Sequence, residues 1–360
     1  MKYYSFLDFF PPPKFLEMRP VGLSLSERGV HVVELIRQNH GLVLGKFGTR
    51  SVPEGVIKEG YVNDKRAVVE VLQSLQKELG LEFVNVSLPE EKAYLFKIDI
   101  PNVPEENIRD LIELHLEENV PLKAVDAIFD YTIIPENSRQ DHLDVSVSVL
   151  PSKVVDTYLD IIKASGLKAI SFETEAEALS RSVISRSDFG TSMIVNIGDT
   201  RTGLSIISGG VVQFSLTIQI GAETITAAVG KHYSVDTKEA QEIKNARGFS
   251  KNTENMEFFF SLTNTVSSIK DEINKLQIYW QTHSSHKEVS ASKIGKIVLC
   301  GKDAGLIGFR EYLSMAMKIK VDVASVWQNV FSHEEHIPAI SFLDSLDYAS
   351  AVGLALPETD

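Results

Sequence analysis

Two short segments, Leu23-Ser24-Leu25-Ser26-Glu27-Arg28-Gly29-Val30 and Val195-Asn196-Ile197-Gly198-Asp199-Thr200-Arg201-Thr202, follow one plan. Each is a strand, a tight polar turn and a returning strand. Turns of this kind place hydroxyls, amides and backbone N–H groups at a strand end. Glycine there lets the backbone come close to a phosphate, and small donors meet its oxygens. A third element, Ile297 to Leu306, runs from a strand into a glycine turn (Gly301, Lys302, Gly305) and then a helix. Lys302 could attract phosphate, but it is no P-loop lysine, because the glycine spacing is wrong and no Ser or Thr follows.

Other constellations offer less. His283 and His286, and again His333 and His336, stand three apart and could share a zinc ion from one helical turn. Neither pair has a nearby thiolate, and neither has metalloprotease spacing. No Gly-x-Ser-x-Gly elbow exists, so esterase-type nucleophilic chemistry has no support. Cys300 lies in an apolar strand and reads as a small buried hydrophobe. Glu113, Glu117 and Glu118 read as a solvated helix face, with a basic partner as the alternative.

The elements that must carry these turns alternate between strand and helix, the pattern of an α/β fold. Val21 to Leu25 and Val30 to Ile36 form the first hairpin. Asp64 caps a helix with an apolar stripe at Val68, Leu72, Leu75 and Leu79 that stops at Gly80, and Phe83 to Leu88 returns as a strand. Residues 93–172 read as a self-contained insert. It has a strand (Tyr94 to Ile100), a helix opening near Pro104 and two strands (Ala127 to Ile134, Leu143 to Leu150). A helix capped by Ser152 and ended by Gly166 completes it. Later, Leu262, Val266, Ile269, Ile273, Leu276 and Trp280 make the packing face of a long helix.

Bulk properties narrow the function. The chain has 360 residues and a net charge of −13, which opposes a nucleic-acid backbone. A single cysteine leaves no intramolecular disulfide and favours a reducing compartment. No stretch reads as a membrane span. The run from Gly203 to Ala222 alternates polar and apolar residues around Gly209-Gly210, as a hairpin does. Residues 1–19 hold Tyr3, Tyr4, Phe6, Phe9, Phe10 and Phe15 beside Pro11 to Pro13, a tail that packs on the body or docks elsewhere.

Two facing hairpins and a glycine turn resemble the phosphate 1, phosphate 2 and adenosine elements of the actin-like ATPase superfamily. Within it the chain is most similar to the PilM family of type IV pilus assembly proteins, relatives of FtsA and MreB. The resemblance runs from about Pro20 to Leu356. Val21 to Leu35, the insert, Glu173 to Arg181, Gly221 to Gly230 with Glu239 to Lys244 and Gly248, and Tyr348 to Ala355 carry it. It implies an actin-like (ribonuclease H-like) two-lobed fold with duplicated sheet cores and a small strand-helix-strand-strand insert. The first lobe would comprise 20–92, 173–190 and 344–360, and the insert 93–172. The second lobe would comprise 191–225 and 293–343, with a helical subdomain over 226–292.

The same resemblance implies an ATP or ADP site at Ser24, Ser26, Asn196, Gly198, Thr200, Thr202, Gln241, Lys244, Gly301 and Lys302. Departures from the family pattern fall on its metal-holding acids. Ser24 and Asn196 stand where aspartates belong, Ser26 and Lys302 replace glycines, and Gln241 replaces the ribose-binding acid. Mg²⁺ usually engages one or two carboxylates besides phosphate, so its binding is expected to be weak or absent and hydrolysis slow or lost. Glu27 or Asp199 on the turns could substitute.

The implied role is a cytoplasmic scaffold at the inner face of the cytoplasmic membrane. It would bind the tail of a PilN-like bitopic protein in a groove lined by Phe83 to Ile100 and Pro104 to Val120. Self-association is a further possibility. Three alternatives stay open: an active actin-like ATPase or sugar-kinase relative, an FtsA-like membrane-associated filament protein, and a type II secretion protein similar to GspL. The acidic C-terminal segment and the missing acids weigh against the first two.

Overall fold

Val21–Leu25 forms β1, buried along its whole length, and a short turn at Ser26, Glu27 and Arg28 returns the chain into β2 (Gly29–Gln38), with Leu25 opposite Val30. In the second half β9 (Ser192–Ile197) turns into β10 (Thr202–Ser208), with Ile197 opposite Thr202. The two turns close in the same way: Ser26 N donates to Gly29 O at 2.8 Å, and Gly198 N donates to Arg201 O at 2.9 Å. The computed structural model describes residues 20–38, 41–134, 142–249, 256–283, 293–332 and 336–357.

Within these residues the repeat extends to whole sheets. Antiparallel β2 and β3 (Gly41–Ser51) lie on one side of β1, and parallel β4 (Phe83–Leu88) and β8 (Lys168–Thr174) lie on the other. Antiparallel β10 and β11 (Val211–Ile218) lie on one side of β9, and parallel β12 (Lys296–Gly301) and β13 (Lys320–Val323) lie on the other. The two five-stranded orders coincide element for element, so each hairpin sits at the centre of its own lobe.

Helix α1 (Lys65–Leu79) is capped by Asp64, whose carboxylate accepts from Arg66 N and Ala67 N, and it packs Val68, Leu72 and Leu75 onto the first sheet. The insert has its own three-stranded sheet: β5 (Tyr94–Pro101), β6 (Ala127–Ile133) and β7 (His142–Pro151), in the order β5-β7-β6. Val145, Val147 and Val149 face α2 (Glu105–Asn119), which buries Ile108, Ile112 and Leu116 against them.

The block expected over 93–172 packs in two places. α3 (Ser152–Ala164) sends Val154, Tyr158, Ile161 and Ile162 into the core of the first sheet, and β8 pairs with β4. The small sheet has no apolar face left for α3, because α2 covers one side and Ser146 and Ser148 lie on the other, as alternation along β7 requires. Ser152 does not cap this helix either. Pro151 holds the cap position, and Ser152 Oγ donates to Asp126 O at 3.0 Å.

α5 (Ala222–Tyr233), α6 (Thr237–Arg247) and α7 (Met256–His283) surround the second sheet. The predicted stripe from Leu262 to Trp280 is buried in one continuous core with β9, β10 and β12. The segment expected as a helical subdomain therefore shares the lobe's core. α8 (Phe309–Met317) covers the far side of the strands. Among the described residues no helix is long and apolar enough to cross a membrane. The aromatic tail 1–19, His286 and His333 lie outside the described residues, so the two histidine pairs are not placed.

Two helices join the lobes. α4 (Glu175–Val183) carries a capping box between Thr174 and Glu177. A short helix α9 (Phe342–Ser345) leads into α10 (Ala349–Ala355). Their approach depends on absent side chains: a Cβ on Gly353 would lie 1.7 Å from Ala178 O, and one on Gly22 of β1 would lie 1.9 Å from Ala351 O. Both obstacles are backbone, so neither can yield by a rotamer change. Gly353→Ala is expected to lower unfolding free energy by about 1–3 kcal/mol or more, measured by urea denaturation.

Candidate functional site: the cleft between the hairpins

Seven of the ten expected residues meet where the hairpins face each other. Ser24, Ser26, Asn196, Gly198, Thr200, Gly301 and Lys302 line one cleft, with Arg28, Glu175, Arg201 and Asp347 among its other walls. Thr202 lies beneath it, fully buried, with Oγ1 donating to Ile220 O at 2.7 Å. Gln241 and Lys244 sit on α6 and do not reach the cleft. Gln241 accepts from Thr226 Oγ1 at 2.8 Å and donates to Asn245 at 3.1 Å.

The donors that would greet a phosphate are largely taken. Ser26 Oγ accepts from Gly29 N at 3.1 Å and lies 3.0 Å from Gly29 O. The first amides of α5 point at the second hairpin, where Ala222 N donates to Gly198 O at 2.9 Å and Glu223 N to Asp199 O at 2.8 Å. A helix N-terminus is a natural anion site, but here the chain's own carbonyls occupy it.

The cations are taken too. Lys302 pairs with Asp199. Burial works against the Lys302 charge, but Asp199 outweighs it and holds the ammonium above its usual range. Arg28 grips Glu223 through two bonds of 2.6 and 2.9 Å, which with Glu54 raises its guanidinium further. Arg201 lies 2.8 Å from Glu91 and 3.6 Å from Glu175. Burial opposes its charge and the two carboxylates more than restore it. Burial also pushes the Glu91 carboxyl up while Arg201 pulls it down, and neither Glu91 oxygen has hydrogen-bond geometry, so charge alone holds that pair.

The positions where the resemblance expects metal-holding acids carry different chemistry. Asn196 Nδ2 donates to Glu175 Oε1 at 3.2 Å, and its Oδ1 lies 3.6 Å from Cys300 Sγ. An aspartate at 196 would set two carboxylates against each other. Cys300 is buried, and burial raises its thiol well above the ordinary range, so it is no nucleophile. Among the described residues no group of three His, Cys, Asp or Glu could hold a metal. Burial lifts Asp347 to about 6 and lowers the neighbouring His31 to about 4.

Where the resemblance would have α6 meet ribose and adenine, a buried ion pair ties α6 to the glycine turn. Lys244 is fully buried and reaches both oxygens of Asp303 at 2.7 and 2.8 Å. Beyond it Phe249 N donates to Ile307 O, and a Cβ on Gly248 would lie 2.5 Å from the Ile307 Cβ. The space between the two turns measures ≈ 60 Å³, room for a few waters and well under the ~300–1,000 Å³ of common small-molecule pockets; a second cavity of ≈ 390 Å³ adjoins it at Arg28, His31, Asp199, Lys302 and Asp347. The space between the two turns is therefore too small for a nucleotide in this arrangement.

Arg28, Arg201 and Glu91 are the site residues that sequence reasoning passed over. A signal was there, since both turns place an acid one or two residues before an arginine, at Glu27-Arg28 and Asp199-Thr200-Arg201.

The larger cavity, ≈ 660 Å³, opens between the insert, the first lobe and the second-lobe turn at Gly210 to Val212. Leu88, Leu150, Val155 and Phe172 give it apolar walls, and β6, an edge strand, forms one side. Arg109 lies 4.4 Å over the Phe129 ring. Ser146 Oγ donates to Val212 O at 2.8 Å, and Ser148 Oγ to Glu177 at 3.0 Å. Of the expected lining, Leu88 and Arg109 take part. β5 is drawn away by pairing with β7, and the apolar face of α2 is sealed in the insert core.

Two measurements probe these buried charges. Lys244→Met strands Asp303 in a buried site and is expected to cost about 3–5 kcal/mol, whereas adding Asp303→Leu recovers most of it in denaturant titrations. Glu90, buried where β4 meets the insert, accepts from Ala176 N at 2.9 Å and bonds Ser215, with Glu175 and Glu177 nearby. Burial raises its carboxyl from 4.5 to about 7. The folded chain thus holds this proton more tightly than the unfolded one, so its contribution is complete below pH 4.5 and is lost as pH rises through 7. Glu90→Gln should flatten that decline in melting temperature.

Comparison with known proteins agrees with the duplicated architecture. A solved structure titled "PilM-PilN type IV pilus biogenesis complex" superimposes with a TM-score of 0.74 at 17% identity, covering 94% of this chain and 98% of that one. The ethanolamine utilization protein EutJ from Carboxydothermus hydrogenoformans gives 0.54 at 13% identity, covering 93% and 88%. MreB 5 of Spiroplasma citri bound to AMPPNP gives 0.54 at 14%, covering 94% and 95%. These likenesses establish the actin-like fold. The family described as "Type IV pilus assembly protein PilM" matches residues 22–359. With that match spanning nearly its whole length, the chain belongs to the PilM family of type IV pilus assembly proteins.

Proposed function

We propose that this chain works as a scaffold of the type IV pilus assembly platform, docking the tail of a PilN-like membrane partner and turning over little or no nucleotide. The observation that carries the reading is the contrast between two cavities. The cleft between the hairpins is ≈ 60 Å³ and neutralised by the chain's own charges, whereas the groove beside the insert is ≈ 660 Å³. An extended peptide suits that groove. Leu88, Val155 and Phe172 offer apolar contact for alternate side chains, and the free edge of β6 offers backbone groups. The solved complex of related fold has a PilN partner, which supports the same class of ligand here.

A cytoplasmic position at the inner face of the membrane follows from this reading, with the partner supplying the anchor. MreB relatives hold ADP or AMPPNP. This chain carries Ser24 and Asn196 where the resemblance expects metal-holding acids, and no group of three His, Cys, Asp or Glu among the described residues could hold a metal.

Calorimetric titration with a synthetic peptide of the N-terminal tail of a PilN homologue tests the docking. Ile128→Glu places a charge on a half-exposed groove residue and is expected to weaken binding at least about tenfold without lowering the melting temperature. Unchanged affinity would remove the groove from the function. Phosphate release with ATP and Mg²⁺ is expected to stay at the blank rate for the wild type, and rapid turnover would make the chain an enzyme.

A further inference from the structure

The charges across the cleft are arranged reciprocally. Arg28 leaves the first-lobe hairpin and ends on Glu223 at the start of α5, in the second lobe. Arg201 leaves the second-lobe hairpin and ends on Glu91 and Glu175, which belong to the first lobe and to α4. Each hairpin thus presents its guanidinium to carboxylates of the opposite lobe. The backbone completes the same arrangement from within the second lobe, because a Cβ on Gly221 would lie 2.5 Å from Asp199 O, so the α5 N-terminus is pressed against the turn that carries Arg201.

We propose that the ligand of this cleft is the chain itself: the two arginines clasp the lobes shut, so that closure needs no nucleotide. The bonds have the character such a role requires. In the Arg28 arm the two guanidinium–carboxylate bonds are directional as well as attractive, so they fix an angle between bodies and not only a distance, whereas the Arg201 arm holds by charge. The Arg201 arm is shielded from water, with side-chain exposures of 11% for Arg201 and 6% for Glu91, and resists screening by salt. The Arg28 arm is more open, at 21% and 47%, and is the arm that salt would loosen.

Closure also has a consequence outside the cleft. The groove beside the insert takes one wall from the second lobe, where Val212 O accepts from Ser146 Oγ at 2.8 Å. Opening the lobes would withdraw that wall. The clasp therefore sets the width of the groove, an effect that rests on the docking reading above, while the clasp itself does not.

The experiment measures interlobe distance directly, without any partner. Nitroxide labels are placed at Lys58→Cys in the first lobe and Lys238→Cys in the second, both exposed, in a Cys300→Ser background, and read by pulsed dipolar spectroscopy. The expected wild-type result is one narrow distribution, identical with and without saturating ATP and Mg²⁺. Arg28→Glu should broaden it toward longer distances, raising the open population about tenfold, the effect of losing one charge-assisted bond. The exchange Arg28→Glu with Glu223→Arg should restore the narrow distribution, which a merely misfolded single variant would not do. A wild-type distribution that narrows or shortens on adding ATP and Mg²⁺ overturns the proposal. So does an unchanged distribution in Arg28→Glu, or a charge exchange that folds normally and stays open.

Discussion

A guanidinium held between carboxylates of a facing lobe is an interaction that cannot be half made. Arg201 is almost wholly removed from water and would be costly to bury alone; with Glu91 and Glu175 beside it, its charge is retained. Much of the site follows from that requirement. Glu175 faces Arg201 on one side, and its other neighbour is a donor, the amide of Asn196. Asp199 is engaged by Lys302 on the glycine turn. The polar groups of the cleft form a connected set of opposite charges, and that set fills the space between the hairpins.

The backbone reinforces this closure by contacts that admit no side chain. α10 crosses β1 at Gly22 and meets α4 at Gly353, so the helices joining the lobes approach nearer than any alanine would allow. The hydrophobic core is correspondingly shared: Ala176 and Leu179 of α4 and Ala351 and Val352 of α10 pack with residues of the second sheet. Polar attraction across the cleft and close packing behind it act on the same two bodies. The insert stands apart from this arrangement. Its own core is small, and its polar β7 face, with Ser146 and Ser148, turns toward the larger groove.

Membership of the PilM family and the side chains found in this cleft are compatible, because the fold does not depend on the chemistry of the strand ends. The duplicated sheets are held by Leu23, Val32, Val84, Ile194, Ile206 and Leu299, all buried away from the turns. Substitution at Ser24, Ser26 or Asn196 changes what the cleft can hold and leaves those cores intact. The same separation leaves the groove free to serve another ligand.

Much of the architecture was legible in the sequence. Strand alternation and capping residues placed β1, β2, α1, β4 and the insert strands, and the spacing from Leu262 to Trp280 marked the buried face of α7. The repeat of Leu23 to Val30 in Val195 to Thr202 predicted the matching hairpins, because a hairpin's register is set locally by its turn. The resemblance likewise brought seven of its ten site residues to one cleft. Only the tertiary structure decided that α3 leaves the insert for the first lobe, since that depends on which face of a distant sheet remains apolar. It alone paired Arg28 with Glu223 and Arg201 with Glu91, residues far apart in the chain. A sequence records which charges exist; whether they face a ligand or each other is fixed only when the lobes come together.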